Sequence, residues 1–197
     1  MQKRPKIGII ISTTRPGRFA DVPTNWLFNI AKQRDDANFE IVDLRDYPMP
    51  FFEEKMALAY APTQNEAALR WEKKIASLDG YIFVTAEYNH SIPAVLKNAL
   101  DYLYSEIHRK PATFVGYGGT GGSRAVEHLR HIAIELQMVS THAAVYLGGG
   151  DFMAVHPAFG NKPIEAVEAN LLPAAKTALD DLVWWTRATM VARAVEG

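Results

Sequence analysis

The sequence predicts a doubly wound α/β fold, in which helices cover both faces of a five-stranded parallel sheet. Five apolar runs rich in β-branched residues recur along the chain, and each is continuous rather than alternating in polarity. Continuous apolarity indicates strands that are buried on both faces. The segments between them repeat apolar residues every three or four positions, as amphipathic helices do. Because parallel neighbours need a crossover connection, this alternation favours one sheet with helices on both sides.

The apolar runs give the strands in chain order. They are "KIGIIIS", "FEIVDL", "GYIFVTA", "ATFVGYG" and "AAVYLGG", at residues 6–12, 39–44, 80–86, 112–118 and 143–149. The apolar stripes place five helices at residues 25–33, 65–78, 91–107, 123–137 and 163–193. We expect Pro173 to break the last helix, because proline removes a backbone donor inside a helix. Segment 46–63 carries three prolines and is predicted to be irregular, packing on its own domain, lining a pocket or contacting a second subunit.

Size, charge and composition limit the functions that the chain can have. Its 197 residues fit a single domain, residues 1–197, with a hydrophobic core of its own. Lys and Arg number 21 and Asp and Glu number 22, so we expect neither nucleic acid nor a membrane as a partner. The lack of cysteine excludes disulfides and thiolate chemistry, and it favours a cytoplasmic protein. The first apolar run ends at Ser12, too early for a signal sequence or a membrane span.

A polar loop, "STTRPGR", follows the first strand. A phosphate ester binds well where backbone N–H groups near a helix N-terminus meet hydroxyls and guanidinium groups, and this loop offers all three. The spacing matches neither the P-loop nor the dinucleotide pattern Gly-x-Gly-x-x-Gly. Taken alone, the loop is also compatible with a simple helix cap at a solvated corner. The candidate phosphate ligands are Ser12, Thr13, Thr14, Arg15 and Arg18, with Gly17 allowing close approach.

A second polar loop follows the third strand. With the strand order 2-1-3-4-5, the first and third strands are neighbours and their carboxyl ends frame one crevice. The loop can offer backbone amides and an aromatic face to a flat heteroaromatic ring through Glu87, Tyr88, Asn89 and His90. Ser91 is predicted to cap the next helix, with Pro93 in its first turn.

A glycine-rich loop follows the fourth strand, and its glycines let the backbone pass close to a planar ligand. They are Gly118, Gly119, Gly121 and Gly122. Glycine runs also form ordinary turns, so the prediction of a site depends on all three loops together. Since the three loops leave successive strand ends, we expect them to border one cleft.

In this order and spacing, "STTRPGR", "AEYNHSIPAVLKNALDY" and "GYGGTGGSRAVEHLR" resemble the NADPH-dependent FMN reductase family of flavodoxin-like flavoproteins, over roughly residues 5–150. The resemblance implies a flavodoxin-like fold with FMN as cofactor and NADPH or NADH as reductant. It also implies a homodimer or homotetramer. By the resemblance, the FMN phosphate would bind at Ser12, Thr14, Arg15 and Arg18. The ring would lie against Glu87, Tyr88, Asn89 and His90 on one side and Tyr117, Gly118, Gly119 and Gly121 on the other.

By analogy with that family, we expect hydride to pass from a reduced nicotinamide through FMN to a quinone, a free flavin or a similar small acceptor, in a ping-pong cycle. No catalytic side chain is required, because the flavin carries the chemistry. Two alternatives stay open: a flavodoxin-type electron carrier without enzymatic turnover, and a nucleotide-sensing module. A metal site at His128 and His131 is disfavoured against solvated histidines, because the helix supplies too few further ligands.

Overall fold

The computed structural model describes residues 4–196 and contains a sheet of five parallel strands. The strands lie in the order β2-β1-β3-β4-β5, and every neighbouring pair is parallel, which confirms the predicted fold class. Their bounds are β1 Lys6–Ile11, β2 Asn38–Asp43, β3 Gly80–Ala86, β4 Pro111–Tyr117 and β5 Val139–Leu147. The last strand begins four residues before the predicted start at 143.

Six α-helices are present within residues 4–196, one more than the apolar stripes predict. They are α1 Asp21–Ala31, α2 Glu66–Ala76, α3 Ala94–Asp101, α4 Ser123–Glu135, α5 Gly149–Val155 and α6 Glu168–Glu196. Short 3-10 helices cover Leu44–Asp46 and Ile164–Val167. None of these helices is both long and apolar enough to cross a lipid bilayer.

Two helix predictions were wrong. The third helix ends at Asp101 rather than near residue 107, and a loop of turns follows it. Pro173 does not break α6, although it lies inside it. Proline has no N–H, so Pro173 cannot donate to the carbonyl of Ala169, four residues earlier in the helix. Ala169 is exposed, and water can satisfy its carbonyl instead.

Two apolar layers cover the two faces of the sheet. One packs α1 and α6 against the side chains of residues such as Ile9 and Val84. The other packs α2, α3 and α4 against residues such as Ile10 and Phe83. Successive side chains of a strand point to opposite faces, so Ile9 and Ile10 enter different layers. This two-sided burial explains why the strands are continuously apolar rather than alternating.

The strand register sets the carboxyl ends of β1, β3, β4 and β5 along one edge of the sheet. Ile11 pairs with Val84, Ala86 pairs with Tyr117, and Tyr117 pairs with Leu147. The loops that follow these strands therefore begin side by side.

Segment 47–63 is irregular, as its prolines predict, and it packs against α3. The Asn98 side chain accepts a hydrogen bond from the Phe52 N–H at 2.9 Å and donates to the Pro50 carbonyl at 2.8 Å. The Phe52 ring lies edge-on against Tyr102, with centroids 5.1 Å apart. These contacts fix the segment to the helix that follows β3.

Candidate functional site

The loop after β1, residues 12–20, turns carbonyl groups inward and leaves N–H groups open. Arg18 donates to the Thr13 carbonyl at 2.7 Å, and Arg45 donates to the carbonyls of Thr14 and Arg15. Between residues 12 and 17, four N–H groups have no hydrogen-bond partner within residues 4–196, those of Thr13, Thr14, Arg15 and Gly17. A row of free backbone N–H groups beside a helix N-terminus is a preformed anion site.

Arg18 is held by protein groups rather than left open for a ligand. Its guanidinium donates to the Asp43 carboxylate at 2.6 and 2.5 Å, to Asp21 at 2.9 and 2.7 Å, and to the Thr13 carbonyl. These contacts use all five of its N–H donors. The hydrogen bonds to Asp43 raise the pKa of Arg18 above its ordinary value. Arg18 therefore fixes the first loop to β2 and α1 and has no donor left for the predicted phosphate contact.

Asp43 is the carboxylate that holds Arg18, and with it the first loop, in place. Burial opposes the ionisation of its carboxyl, but hydrogen bonds from the Arg18 side chain and the Arg45 N–H outweigh burial and lower the pKa of Asp43. The register places Asp43 beside Ile11, where β1 enters the loop. The ion pair therefore stays intact at neutral pH.

The remaining polar residues of the first loop differ in access. Ser12 is fully buried, with its hydroxyl 3.5 Å from the Ile10 carbonyl, whereas Thr14 is exposed. Thr13 Oγ1 is buried and has no hydrogen bond of ordinary geometry to any described residue. Arg15 is exposed, makes no ion pair with residues 4–196, and places its guanidinium carbon 5.8 Å from the ring centre of Tyr88. Arg15 is the available cation of this loop.

The loop after β3 is a tight two-residue hairpin. Tyr88 and Ser91 exchange backbone hydrogen bonds of 2.9 and 3.0 Å. Asn89 and His90 at its tip have φ values of 50° and 70°, which is the type I′ geometry and which asparagine tolerates well. Both tip residues are exposed.

The predicted cap of α3 by Ser91 was wrong. The N-cap position is occupied by Pro93, and no side chain donates or accepts there. The Ser91 hydroxyl instead lies 2.6 Å from Nδ1 of His128 on α4. This contact joins the hairpin to α4.

A buried carboxylate ties the hairpin to the loop after β4. Glu87 accepts hydrogen bonds from Nε of Arg124 at 2.5 Å, from the Arg124 N–H at 3.2 Å and from the Thr120 hydroxyl at 3.1 Å. Burial opposes its ionisation, but these hydrogen bonds outweigh burial and lower the pKa of Glu87. Arg124 Nη1 also lies 2.9 Å from Nε2 of His90. The Glu87 side chain thus points to α4, and its contribution to a bound ring would come from the backbone.

The glycines of the loop after β4 divide into two kinds. Gly118 has a φ of 142°, and a side chain at Gly119 would meet nothing within 4 Å. Gly121 and Gly122 are buried, and a Cβ at Gly122 would lie 2.7 Å from the Tyr117 nitrogen. The first two glycines therefore border open space, whereas the last two are required by backbone packing.

The three loops converge on a cleft of about 200 Å³. Six predicted site residues line it: Arg15, Arg18, Glu87, Tyr88, Tyr117 and Gly118. The others lie outside its lining: Ser12, Thr14, Asn89, His90, Gly119 and Gly121. Burial raises the pKa of Tyr117 to about 12, and the neighbouring Thr13 side chain offsets part of that rise. Arg15 and Tyr88 thus bring a cation and an aromatic ring together in the cleft lining.

All three loops lie in the part of the chain that matches a known family. A family model described as NADPH-dependent FMN reductase matches residues 5–151. The chain belongs to the NADPH-dependent FMN reductase family. It is an oxidoreductase whose flavin is FMN and whose reductant is a nicotinamide dinucleotide, as the resemblance of the sequence implies.

Two relatives of this family member illustrate its range. An NAD(P)H-dependent FMN reductase of Schizosaccharomyces pombe is 38% identical over 136 residues, which are 68% of each chain. A 2-hydroxy-1,4-benzoquinone reductase of a Burkholderia species is 31% identical over 141 residues, 68% of this chain and 73% of the relative. The solved structure of FerB, an NAD(P)H:(acceptor) oxidoreductase from Paracoccus denitrificans, superposes with a TM-score of 0.69 at 20% identity, covering 94% and 98% of the two chains. That last similarity supports the fold.

The residues of the cleft fit FMN. A phosphate monoester needs several N–H or O–H donors and a compensating cation. The first loop supplies the row of free N–H groups and the Arg15 guanidinium. The lining also supplies Tyr88 and Tyr117 for a planar ring.

Part of this lining was missed by the sequence analysis: Phe19, Ala86, Phe152 and His156. Gly17, which the sequence predicts to allow close approach of the ligand, does line the cleft. Phe152 and His156 follow β5, which ends at the same sheet edge as β1, β3 and β4. The same strand-end rule also indicates the loop after the fifth strand, whose predicted end at residue 149 lies close to the observed end at Leu147.

Proposed function

We propose that this protein transfers hydride from NADPH or NADH to a small oxidised acceptor, a quinone or a free flavin, in a ping-pong cycle that uses FMN bound in the cleft. The observation that carries the proposal is the cleft itself, where loops from three neighbouring strand ends bring a guanidinium without an ion-pair partner in residues 4–196, that of Arg15, and aromatic side chains into one lining. The names of two relatives, a 2-hydroxy-1,4-benzoquinone reductase and a quinone reductase of Escherichia coli, support a quinone as acceptor.

The phosphate end of the proposed site is the first loop. Arg15 and the free N–H groups of the loop would hold the phosphate, with a hydroxyl contact from the exposed Thr14. Arg18 acts there as a positioning residue, because its guanidinium keeps the Thr13 carbonyl turned away from the ligand. Ser12 serves the fold, since its side chain is fully buried.

The ring end of the proposed site lies between the hairpin and the glycine loop. Tyr88, Tyr117, Gly118 and Gly119 would border the ring, and the tip N–H groups of the hairpin would face its polar edge. Hydride acceptance and donation are the chemistry that bound FMN supplies. The chain's own task is to orient the ring and to stabilise negative charge at its edge with backbone donors, which need no reorganisation during reaction. The Glu87–Arg124 pair keeps the two loops at a fixed separation.

We further propose that residues 1–197 act as one domain in the cytoplasm, as a homodimer or homotetramer. Exposed aromatic side chains support an assembly, since Phe51 is 74% exposed, Tyr60 80% and Trp184 63%. The lack of cysteine supports a reducing compartment.

The test is a transient and steady-state kinetic experiment on the FMN-loaded protein. Anaerobic mixing with NADPH should bleach the flavin absorbance, and mixing the bleached protein with a quinone should restore it. Double-reciprocal plots at several quinone concentrations should be parallel. Intersecting lines would contradict the ping-pong cycle, and FMN-loaded protein that is never bleached by NADPH or NADH would contradict the enzymatic function.

A further inference from the structure

The turn after α5 brings an aromatic cluster back to the cleft. His156 follows the last residue of α5, Val155, and lies beyond residues 5–151, which carry the family resemblance. Backbone hydrogen bonds fix the turn, because Gly160 donates to the Met153 carbonyl at 2.9 Å and Asn161 donates to the His156 carbonyl at 3.2 Å. The turn is therefore a built part of the fold, and His156 lines the cleft.

Three phenylalanines hold the His156 ring in place. Its centroid lies 5.1 Å from that of Phe19, 4.9 Å from Phe152 and 5.3 Å from Phe159. An apolar side chain would pack among these rings without any cost of burying a polar nitrogen. The presence of an imidazole in this cluster points to a use for its nitrogens.

The hydrogen bonding of His156 fixes which nitrogen can donate. The Ala158 N–H donates to Nδ1 of His156 at 3.1 Å. A nitrogen that accepts this bond carries no proton, so we assign the neutral ring the tautomer with its proton on Nε2. Nε2 has no hydrogen-bond partner within residues 4–196. It is not buried. The ring thus presents one accessible N–H donor.

The position of His156 places that donor against the first loop, which is the proposed phosphate site. Phe19, against which the imidazole packs, is the residue near the end of the first loop where α1 begins. Arg15 and Gly17 line the same cleft, and its one lining carboxylate, Glu87, is neutralised by Arg124. An accessible N–H donor in the same cleft as a guanidinium that has no ion-pair partner in the described part of the chain favours an oxyanion as the ligand.

We propose that His156 is a ligand of the FMN phosphate, to which its Nε2–H donates a hydrogen bond. The inference rests on the proposed placement of the phosphate at the first loop. It extends the site beyond the three strand-end loops and gives residues 149–160 a role in cofactor selection, because a flavin without the phosphate has nothing to accept this bond.

The test compares two substitutions at His156 in the full-length protein. His156→Phe keeps an aromatic ring in the cluster and removes the donor, whereas His156→Gln restores an N–H donor at a similar reach. His131→Phe, at an exposed position of α4, is the matched control. The dissociation constants of FMN and of riboflavin are measured by quenching of flavin fluorescence, and the ³¹P NMR shift of bound FMN is recorded for each variant.

We expect His156→Phe to raise the dissociation constant of FMN about ten- to a hundredfold, the range for one hydrogen bond to a charged group, and to leave that of riboflavin within about twofold. His156→Gln should recover most of the loss, and the ³¹P shift should change in His156→Phe but not in His131→Phe.

Equal losses for FMN and riboflavin would overturn the inference, because they would show that the ring only supports the wall of the cleft. An unchanged ³¹P shift would overturn it as well, including when riboflavin binds too weakly to titrate. An altered KM for NADPH with unchanged FMN affinity would assign the donor to the nicotinamide dinucleotide instead. Failure of the unsubstituted protein to bind FMN would contradict the proposed function rather than the role of His156.

Discussion

Arg15 and Arg18 lie three residues apart on one loop, and the structure predicts that their substitution by alanine affects different properties of the protein. Arg18 is almost fully buried, with 4% of its side chain exposed, and its donors are satisfied by Asp43, Asp21 and the Thr13 carbonyl. Arg15 is exposed and has no ion-pair partner within residues 4–196. We therefore expect Arg18→Ala to lower the stability of the protein and Arg15→Ala to lower its affinity for FMN.

The magnitudes follow from burial and from the partners that are lost. Removing one member of a buried ion pair costs about 3–5 kcal/mol. Asp43 is 23% exposed and can recover some hydration, so we expect about 2–3 kcal/mol for Arg18→Ala, below that range because of solvent screening. For a chain of this size that loss lowers Tm by roughly 4–12 °C. Arg15→Ala removes an exposed cation–π contact of about 0.5 kcal/mol, and it should raise the Kd of FMN about ten- to a hundredfold.

The assay measures Tm of the flavin-free protein by circular dichroism and the Kd of FMN by fluorescence quenching, for both variants. Flavin-free protein is used for Tm because bound FMN would stabilise the fold by mass action. An Arg18→Ala variant with unchanged Tm and a collapsed FMN affinity would refute the reasoning, as would an Arg15→Ala variant that retains full affinity. The first result would assign the phosphate contact to Arg18, and the second would remove it from Arg15.

Three further predictions concern stability. The pKa of Glu87 is lowered in the fold, so Glu87→Gln should lower the free energy of unfolding at pH 7, as measured by urea unfolding. The difference from the unsubstituted protein should vanish as the pH falls below about 4, where the carboxyl becomes protonated in both the folded and the unfolded chain. Burial, and then the charge of Arg193, lowers the pKa of Lys110 to about 8. Between pH 8 and about 10.4 the unfolded chain therefore binds more protons than the folded chain. Over that range the free energy of unfolding, measured by urea titration, should rise relative to that of Lys110→Met. Gly122→Ala should cost roughly 1–3 kcal/mol or more, because φ is 69° and the Cβ would lie 2.7 Å from a backbone nitrogen, whereas the control Gly119→Ala should leave Tm unchanged.

The sheet could be predicted from sequence because its central strands are buried on both faces. Continuous apolar runs such as "KIGIIIS" are typical of such strands, and their alternation with helical stripes leaves a small number of topologies. Helix ends were less predictable. α5 begins at Gly149 within a run of glycines and has only seven residues, so no apolar stripe marks it. The apolar stripe of the third helix continues to Ile107 in the sequence, but the helix ends at Asp101. Leu103 and Ile107 are buried in the turns that follow it.

The site was predictable where it depends on strand ends and not where it depends on distant partners. The sequence shows two arginines on one loop, but it does not show that Asp43, 25 residues away, pairs with one of them. The β1–β2 register creates that pair, since Asp43 lies opposite Ile11. Glu87 is comparable, because Arg124 comes to it only through the packing of α4 against the sheet. Tertiary contacts thus decide which charged residues are free to bind a ligand.

The most direct test of the account is a crystal structure of the protein with FMN. We expect the phosphate oxygens within about 2.7–3.2 Å of the first-loop N–H groups and of the Arg15 guanidinium, with Arg18 still bound to Asp43. A phosphate that lies at the hairpin or in solvent, with the first-loop N–H groups left without it, would contradict the central claim.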